Sequence, residues 1–129
     1  MPLQGVTILI VEDNLDSREI TRRMLGQLGA TVLLAENGKV GLEHLEKHRP
    51  DLILADLKMP VMDGYEFARL VKGNPDYRDV RLVALTGVPF EQGYLRTWAL
   101  GFDGHIEKPV TFEKMDGLAR YLSGGPPHA

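Results

Sequence analysis

The chain has 129 residues, a formal charge of -3 and no cysteine. That length fits one domain able to bury a core, and the mild acidity gives no general pull toward nucleic acid or an anionic membrane. The absence of thiols rules out disulfides, thiolate nucleophiles and thiolate metal sites.

The first apolar run, Val6–Val11 broken only by Thr7, reads as a strand; it is far short of the roughly 20 residues of a membrane helix and has no basic segment ahead of it. A soluble, unprocessed, cytoplasmic protein is therefore expected. Glu12-Asp13 follows, then Asn14 as the cap of a helix with Ile20, Met24 and Leu28 on its apolar face, ended by Gly29. A second strand spans Thr31–Ala35, and Leu42 and Leu45 mark the next helix. Arg49-Pro50 precedes a third strand, Leu52–Ala55, and Phe67, Leu70 and Val71 define a third helix stopped by Asn74-Pro75. A fourth strand, Arg81–Leu85, leads to a helix carrying Leu95, Trp98 and Ala99. The fifth strand is placed at Asp103–Ile106, after a turn suited by Gly101 and Gly104. Thr111 then caps a last helix with Phe112, Met115, Leu118 and Leu122 along one face. Residues 1–123 form the expected domain. The tail 124–129, Gly124-Gly125-Pro126-Pro127-His128-Ala129, cannot extend a helix and reads as a flexible end. Phe67 and Trp98 are expected in the core. His44, His48 and His128 are expected at the surface; His44 and His48 have the spacing of a metal pair but no evident third ligand.

Strands apolar on both sides and joined by helical crossovers call for a parallel sheet covered on both faces. Ligands of such α/β sheets bind beyond the carboxyl ends of the strands, and those positions are acidic here: Glu12 and Asp13 after the first strand, Asp56 after the third. Two unit charges about 4 Å apart repel by roughly 4 kcal/mol at an effective dielectric near 20, so a cluster of three carboxylates calls for a cation. Hard oxygen ligands without histidine or cysteine suit Mg²⁺, with Mn²⁺ as the alternative ion. Thr86 ends the fourth strand with a hydroxyl, and Lys108 follows the fifth with an ammonium. Three acids, a donor and a fixed positive charge fit phosphoryl transfer, with Asp56 as nucleophile.

The ordered set Val11-Glu12-Asp13-Asn14, Asp56-Leu57-Lys58-Met59-Pro60-Val61-Met62-Asp63-Gly64, Ala84-Leu85-Thr86-Gly87, Gly101-Phe102-Asp103 and Glu107-Lys108-Pro109-Val110 resembles the response-regulator receiver family of two-component signalling over essentially the whole chain. The resemblance implies a flavodoxin-like five-stranded parallel sheet in the order 2-1-3-4-5, doubly wound with five helices. It implies Asp56 as phosphoacceptor, Mg²⁺ held by Glu12, Asp13, Asp56 and the backbone carbonyl of Lys58, and contacts from Thr86 and Lys108 to the phosphoryl group. Lys108-Pro109 is implied to be a cis peptide. A histidine kinase or histidine phosphotransfer protein would supply the phosphoryl group. A downstream target would read the face made by the fourth helix, fifth strand and fifth helix, with Thr86 as one switch residue. Such a protein catalyses only its own phosphorylation and dephosphorylation. The second switch position usually holds tyrosine or phenylalanine; here it is His105, whose preference would depend on pH. Lys58 and Val88 stand where the family tunes hydrolysis of the phosphoaspartate, and Leu57 where some relatives have tryptophan.

Three rival readings stand beside this one. A degenerate receiver would serve only as a docking scaffold, which the intact acids, threonine and lysine argue against. An aspartate-nucleophile phosphatase would need a second aspartate two residues after Asp56, where Lys58 stands. A nucleotide or flavin binder needs a phosphate-cradling loop after the first strand, and Glu12-Asp13-Asn14 would repel phosphate there. The kinase, the target, dimerisation on phosphorylation, and origin as a stand-alone regulator or as part of a hybrid kinase are left open by the residues.

Overall fold

Five strands, β1 (Thr7–Val11), β2 (Thr31–Ala35), β3 (Leu52–Asp56), β4 (Arg81–Thr86) and β5 (Gly104–Glu107), pair in parallel in the order β2-β1-β3-β4-β5. The computed structural model describes residues 1–87 and 99–122. The expected helix around Leu95 and Trp98, the Val88 position and the tail 124–129 lie outside the described residues. Among the described residues there are four helices: α1 (Leu15–Gln27), α2 (Gly38–Lys47), α3 (Gly64–Lys72) and α4 (Phe112–Leu122).

Strand residues alternate between two cores, as a period of two requires. Leu9, Val11, Ile53, Ala55, Leu82 and Ala84 face one way and pack with Leu45 of α2 and Phe67, Ala68 and Val71 of α3. Ile8, Ile10, Leu52, Leu54, Val83 and Leu85 face the other way and pack with Leu25 of α1 and Met115, Leu118 and Ala119 of α4. The helix starts at Asn14 and Thr111 follow the capping expectations, and Asp63 caps a third helix. Asn14 Oδ1 accepts from the Ser17 N–H at 2.9 Å, Asp63 Oδ1 from Glu66 at 2.9 Å, and Thr111 Oγ1 from Lys114 at 3.2 Å. After α1, Gly29 takes φ +101°, a conformation that favours glycine.

Four expectations are corrected. β5 is one residue later than Asp103–Ile106, because Asp103 is engaged in the turn, its carboxylate accepting the Leu82 N–H at 2.8 Å and the Lys72 ammonium at 3.2 Å. Ile20 is exposed, since α1 turns Thr21 and Leu25 inward instead. Phe112 is also exposed, at the very start of α4, while Met115 and Leu118 carry the buried stripe. His44 is half-buried, and its Nε2 holds the Leu34 carbonyl on the edge strand β2 at 2.7 Å.

Gly64 shows how the fold sets the site. It opens α3 where the helix touches the end of β3, and a Cβ there would press on the Asp56 carbonyl and come within 2.8 Å of Leu57 Cα. Backbone cannot yield as a flexible side chain does. Gly64→Ala is expected to cost about 1–3 kcal/mol and to lower Tm by roughly 3–10 °C; thermal denaturation followed by circular dichroism checks this, and an unchanged Tm would contradict the close approach.

Candidate functional site

The pairing register brings the acids together. Val11 is opposite Ala55, so one step further along the pair Glu12 stands beside Asp56, with both side chains on the α1/α4 side of the sheet. Both are buried, at 1% and 7% exposure, whereas Asp13 is exposed. Carboxylate oxygens of all three lie within 4.8 Å of one another. The Glu12 backbone is fixed from two sides, its N–H donating to the Ala35 carbonyl at 3.0 Å and its carbonyl accepting from Arg18 Nη1 at 2.8 Å.

Lys108 completes the cluster. It follows β5, its N–H donates to the Thr86 carbonyl at 2.7 Å, and its peptide bond to Pro109 is cis, as the resemblance implied. Its Nζ donates to Glu12 Oε1 at 2.8 Å and to Asp56 Oδ2 at 2.6 Å. Asp56 Oδ1 accepts the Lys58 backbone N–H at 3.1 Å, while the Lys58 side chain is exposed. Thr86 is buried at the end of β4, one residue past Leu85, which pairs with Asp56. His105 lies on β5 opposite Ala84. Burial pushes its ring below the ordinary imidazole value, against the opposing pull of Glu107, so the ring is neutral at pH 7 and any charge change belongs to more acidic conditions.

The electrostatics divide the two buried acids. Burial foremost, with the Asp56 carboxylate beside it, pushes Glu12 up to about 7 from 4.5, against the opposing pull of Lys108 and Ser17. Burial also works to raise Asp56, but hydrogen bonds from Glu12, Lys108 and the Lys58 N–H hold it below its ordinary value. Desolvation opposes the Lys108 charge, and its two carboxylate partners overcome this and raise it. Asp56 is thus the acid held ionised and Glu12 the one that retains a proton.

These residues fit a hard divalent cation. Glu12 Oε2 is buried and has no hydrogen-bond partner among the described residues, the ligand atoms are carboxylate oxygens, and the cluster holds more acids than Lys108 alone can balance. Sequence reasoning missed Arg18, which ties α1 to the Glu12 turn, and Lys114, whose Nζ bonds the loop around Lys108.

An α/β sheet whose carboxyl edge gathers buried acids, a threonine and a lysine defines a phosphoacceptor domain of the receiver class. The response regulator receiver domain model matches residues 8–120. An uncharacterized 14.6 kDa protein of Leptolyngbya boryana is 34% identical over 98% of each chain. The sensor histidine kinase CheAY of Helicobacter pylori is 37% identical over 88% of this chain, which spans only 14% of that kinase. Polar-differentiation response regulator DivK of Brucella anthropi is 29% identical over 90% of this chain and 95% of its own. Among solved structures, the signal receiver domain of a histidine kinase from Syntrophus aciditrophicus superposes with TM-score 0.84 at 34% identity, covering 93% of this chain and 92% of its own. The receiver domain of a Pseudomonas aeruginosa sensor histidine kinase, solved with magnesium in its active-site cleft, gives TM-score 0.84 at 29% identity, over 94% and 99%. The chain belongs to the response-regulator receiver family and acts in two-component signalling as a phosphoacceptor served by histidine kinases. Among the described residues no helix is long and apolar enough to cross a membrane.

If Glu12 is a metal ligand, metal binding is expected to depend on pH. Its folded value of about 7 lies above the ordinary 4.5, so the metal-free protein holds a proton that the unfolded chain loses, and its stability falls as pH rises between those values. Mg²⁺ competes with that proton. Mg²⁺ affinity measured by calorimetry is expected to rise about tenfold per pH unit on approaching pH 7 and then level off, and Glu12→Gln should weaken binding and remove the slope. A flat profile in the wild type would remove Glu12 from the ligand set.

Proposed function

We propose that Asp56 is the phosphoacceptor and that Glu12, Asp13, Asp56 and the Lys58 backbone carbonyl hold Mg²⁺ or Mn²⁺. When bound, the ion supplies charge neutralisation for the transferred oxygens. The observation that carries the reading is the Asp56 carboxylate held ionised at the end of a buried strand, with the Lys108 ammonium 2.6 Å from Oδ2. A histidine kinase or phosphotransfer protein presents a phosphohistidine. An Asp56 oxygen attacks phosphorus in line, the P–N bond breaks, its electron pair returns to the imidazole, and an acyl phosphate forms on Asp56. Lys108 then pairs with a phosphoryl oxygen in place of the carboxylate, and Thr86 turns toward the new group. These movements bias β5, His105 and α4 toward a second arrangement that a target protein reads in the cytoplasm. The chain modifies itself and turns over no other substrate.

Intact mass after incubation with phosphoramidate and Mg²⁺ tests the acceptor. One phosphoryl group is expected on the wild type, and none with chelator or in Asp56→Asn, whose fold should persist; equal labelling of the variant would place the acceptor elsewhere. Lys108→Ala is expected to keep Mg²⁺ binding, to slow phosphorylation by about tenfold to a hundredfold, and to lose the phosphorylation-dependent change in amide exchange over β5 and α4. An unaltered response would remove this lysine from the mechanism.

A further inference from the structure

Lys114 occupies the first turn of α4, where unpaired N–H groups and the helix dipole favour anions and oppose an ammonium. Its side chain turns back out of the helix, and Nζ donates to the Glu107 carbonyl at 2.7 Å and to the Pro109 carbonyl at 3.0 Å. Those two carbonyls bracket Lys108. The N–H of Lys108 is meanwhile tied to the Thr86 carbonyl at 2.7 Å, so the backbone on both sides of this residue is pinned, twice by the Lys114 side chain. Lys114 itself stands on a firm base. Its N–H is capped by Thr111 Oγ1 at 3.2 Å, and Met115, Leu118 and Ala119 anchor the helix in the core.

The Lys108 side chain is long and flexible, so where its ammonium rests depends on where its backbone is held. The two bonds from Lys114 are charge-assisted and restrain that loop from the α4 side. We propose that Lys114 is a positioning residue for Lys108: by clamping the Glu107 and Pro109 carbonyls it aims the Lys108 ammonium at Asp56. The inference rests on the role given to Lys108 above. A purely structural Lys114 would cap two turn carbonyls and affect only stability, whereas a positioning residue acts on the reaction through Lys108.

The test uses the full chain and initial rates of phosphorylation by phosphoramidate at saturating Mg²⁺, followed by intact mass, with Tm measured for every variant. Lys114→Met is expected to slow the reaction about tenfold, since small misplacements remote from the reacting atoms act on this scale. Lys114→Arg, which keeps charge and donors, should recover most of the rate. In a Lys108→Ala background, Lys114→Met should change the rate by less than about twofold, because its effect passes through the missing side chain. A wild-type rate in Lys114→Met, or an equal loss with and without Lys108, would overturn the proposal. If Lys108→Ala alone phosphorylates at the wild-type rate, the role of Lys108 fails on that single variant and the inference falls with it.

Discussion

Glu12 and Asp56 sit side by side at the end of a parallel sheet, both buried, and the Lys108 ammonium bridges them at 2.8 and 2.6 Å. Two like charges at such a separation repel by roughly 4 kcal/mol at an effective dielectric near 20, and removing them from water adds to that cost. The ammonium offsets part of it. The proton that Glu12 retains up to about pH 7 offsets more. Both are monovalent substitutes for a harder cation, and both can be given up: the proton to solvent, and the ammonium to whatever negative group arrives on Asp56. Metal affinity, acceptor ionisation and the movement of Lys108 therefore share one charge balance.

The fold exists around that balance in a definite sense. Parallel strands end together, so the residues just past β1, β3, β4 and β5 share one edge, and alternation along each strand decides which of them point to the same side. The segment after Asp56 is bent hard to fit. Val61 takes φ +69°, rare for a β-branched residue, while the Met62 N–H donates to the Pro60 carbonyl at 2.7 Å, the mark of a γ-turn. Three residues later Gly64 meets the Asp56 backbone closely enough that no side chain fits. Local strain beside a reactive group is maintained only where the surroundings over-determine it. Here the buried β3 on one side and the Asp63-capped α3 on the other do so.

Much of this was legible in the sequence because it rests on patterns with a fixed period. β-branched runs gave the strands to within a residue or two, and the acids, Thr86 and Lys108 followed from asking what stands at the carboxyl ends. What escaped was decided by tertiary contact. Ile20 and Phe112 fit an apolar spacing, yet α1 turns Thr21 and Leu25 to the core and α4 begins before its buried stripe does. Asp103 looked like the start of β5, but its carboxylate serves Leu82 and Lys72 in the turn. His44 reads as a surface residue until the edge strand supplies the Leu34 carbonyl as its partner. Lys114 carried a weak local signal, a cation in the first turn of a helix, which only the position of the preceding loop explains.

The charge balance also indicates what phosphorylation changes. With three carboxylates and one ammonium in the cluster, a bound divalent cation brings the site close to neutral. Conversion of Asp56 to an acyl phosphate removes one carboxylate charge and adds a group carrying roughly two negative charges, leaving an excess of about one. That excess would sit farther out than the original carboxylate oxygen, by the length of the added O–P bond. Among the described residues the ammonium bonded to Asp56 is that of Lys108, and following the phosphoryl group would mean releasing Glu12. Lys108 shares its backbone with β5 through Glu107 and is tied to β4 through Thr86, so a displacement of its ammonium loads the two strands at that edge of the sheet. Among the described contacts Lys108 is linked to β4 through Thr86 and its loop to α4 through Lys114, so under the proposed mechanism a movement of its ammonium would be felt at that edge of the sheet.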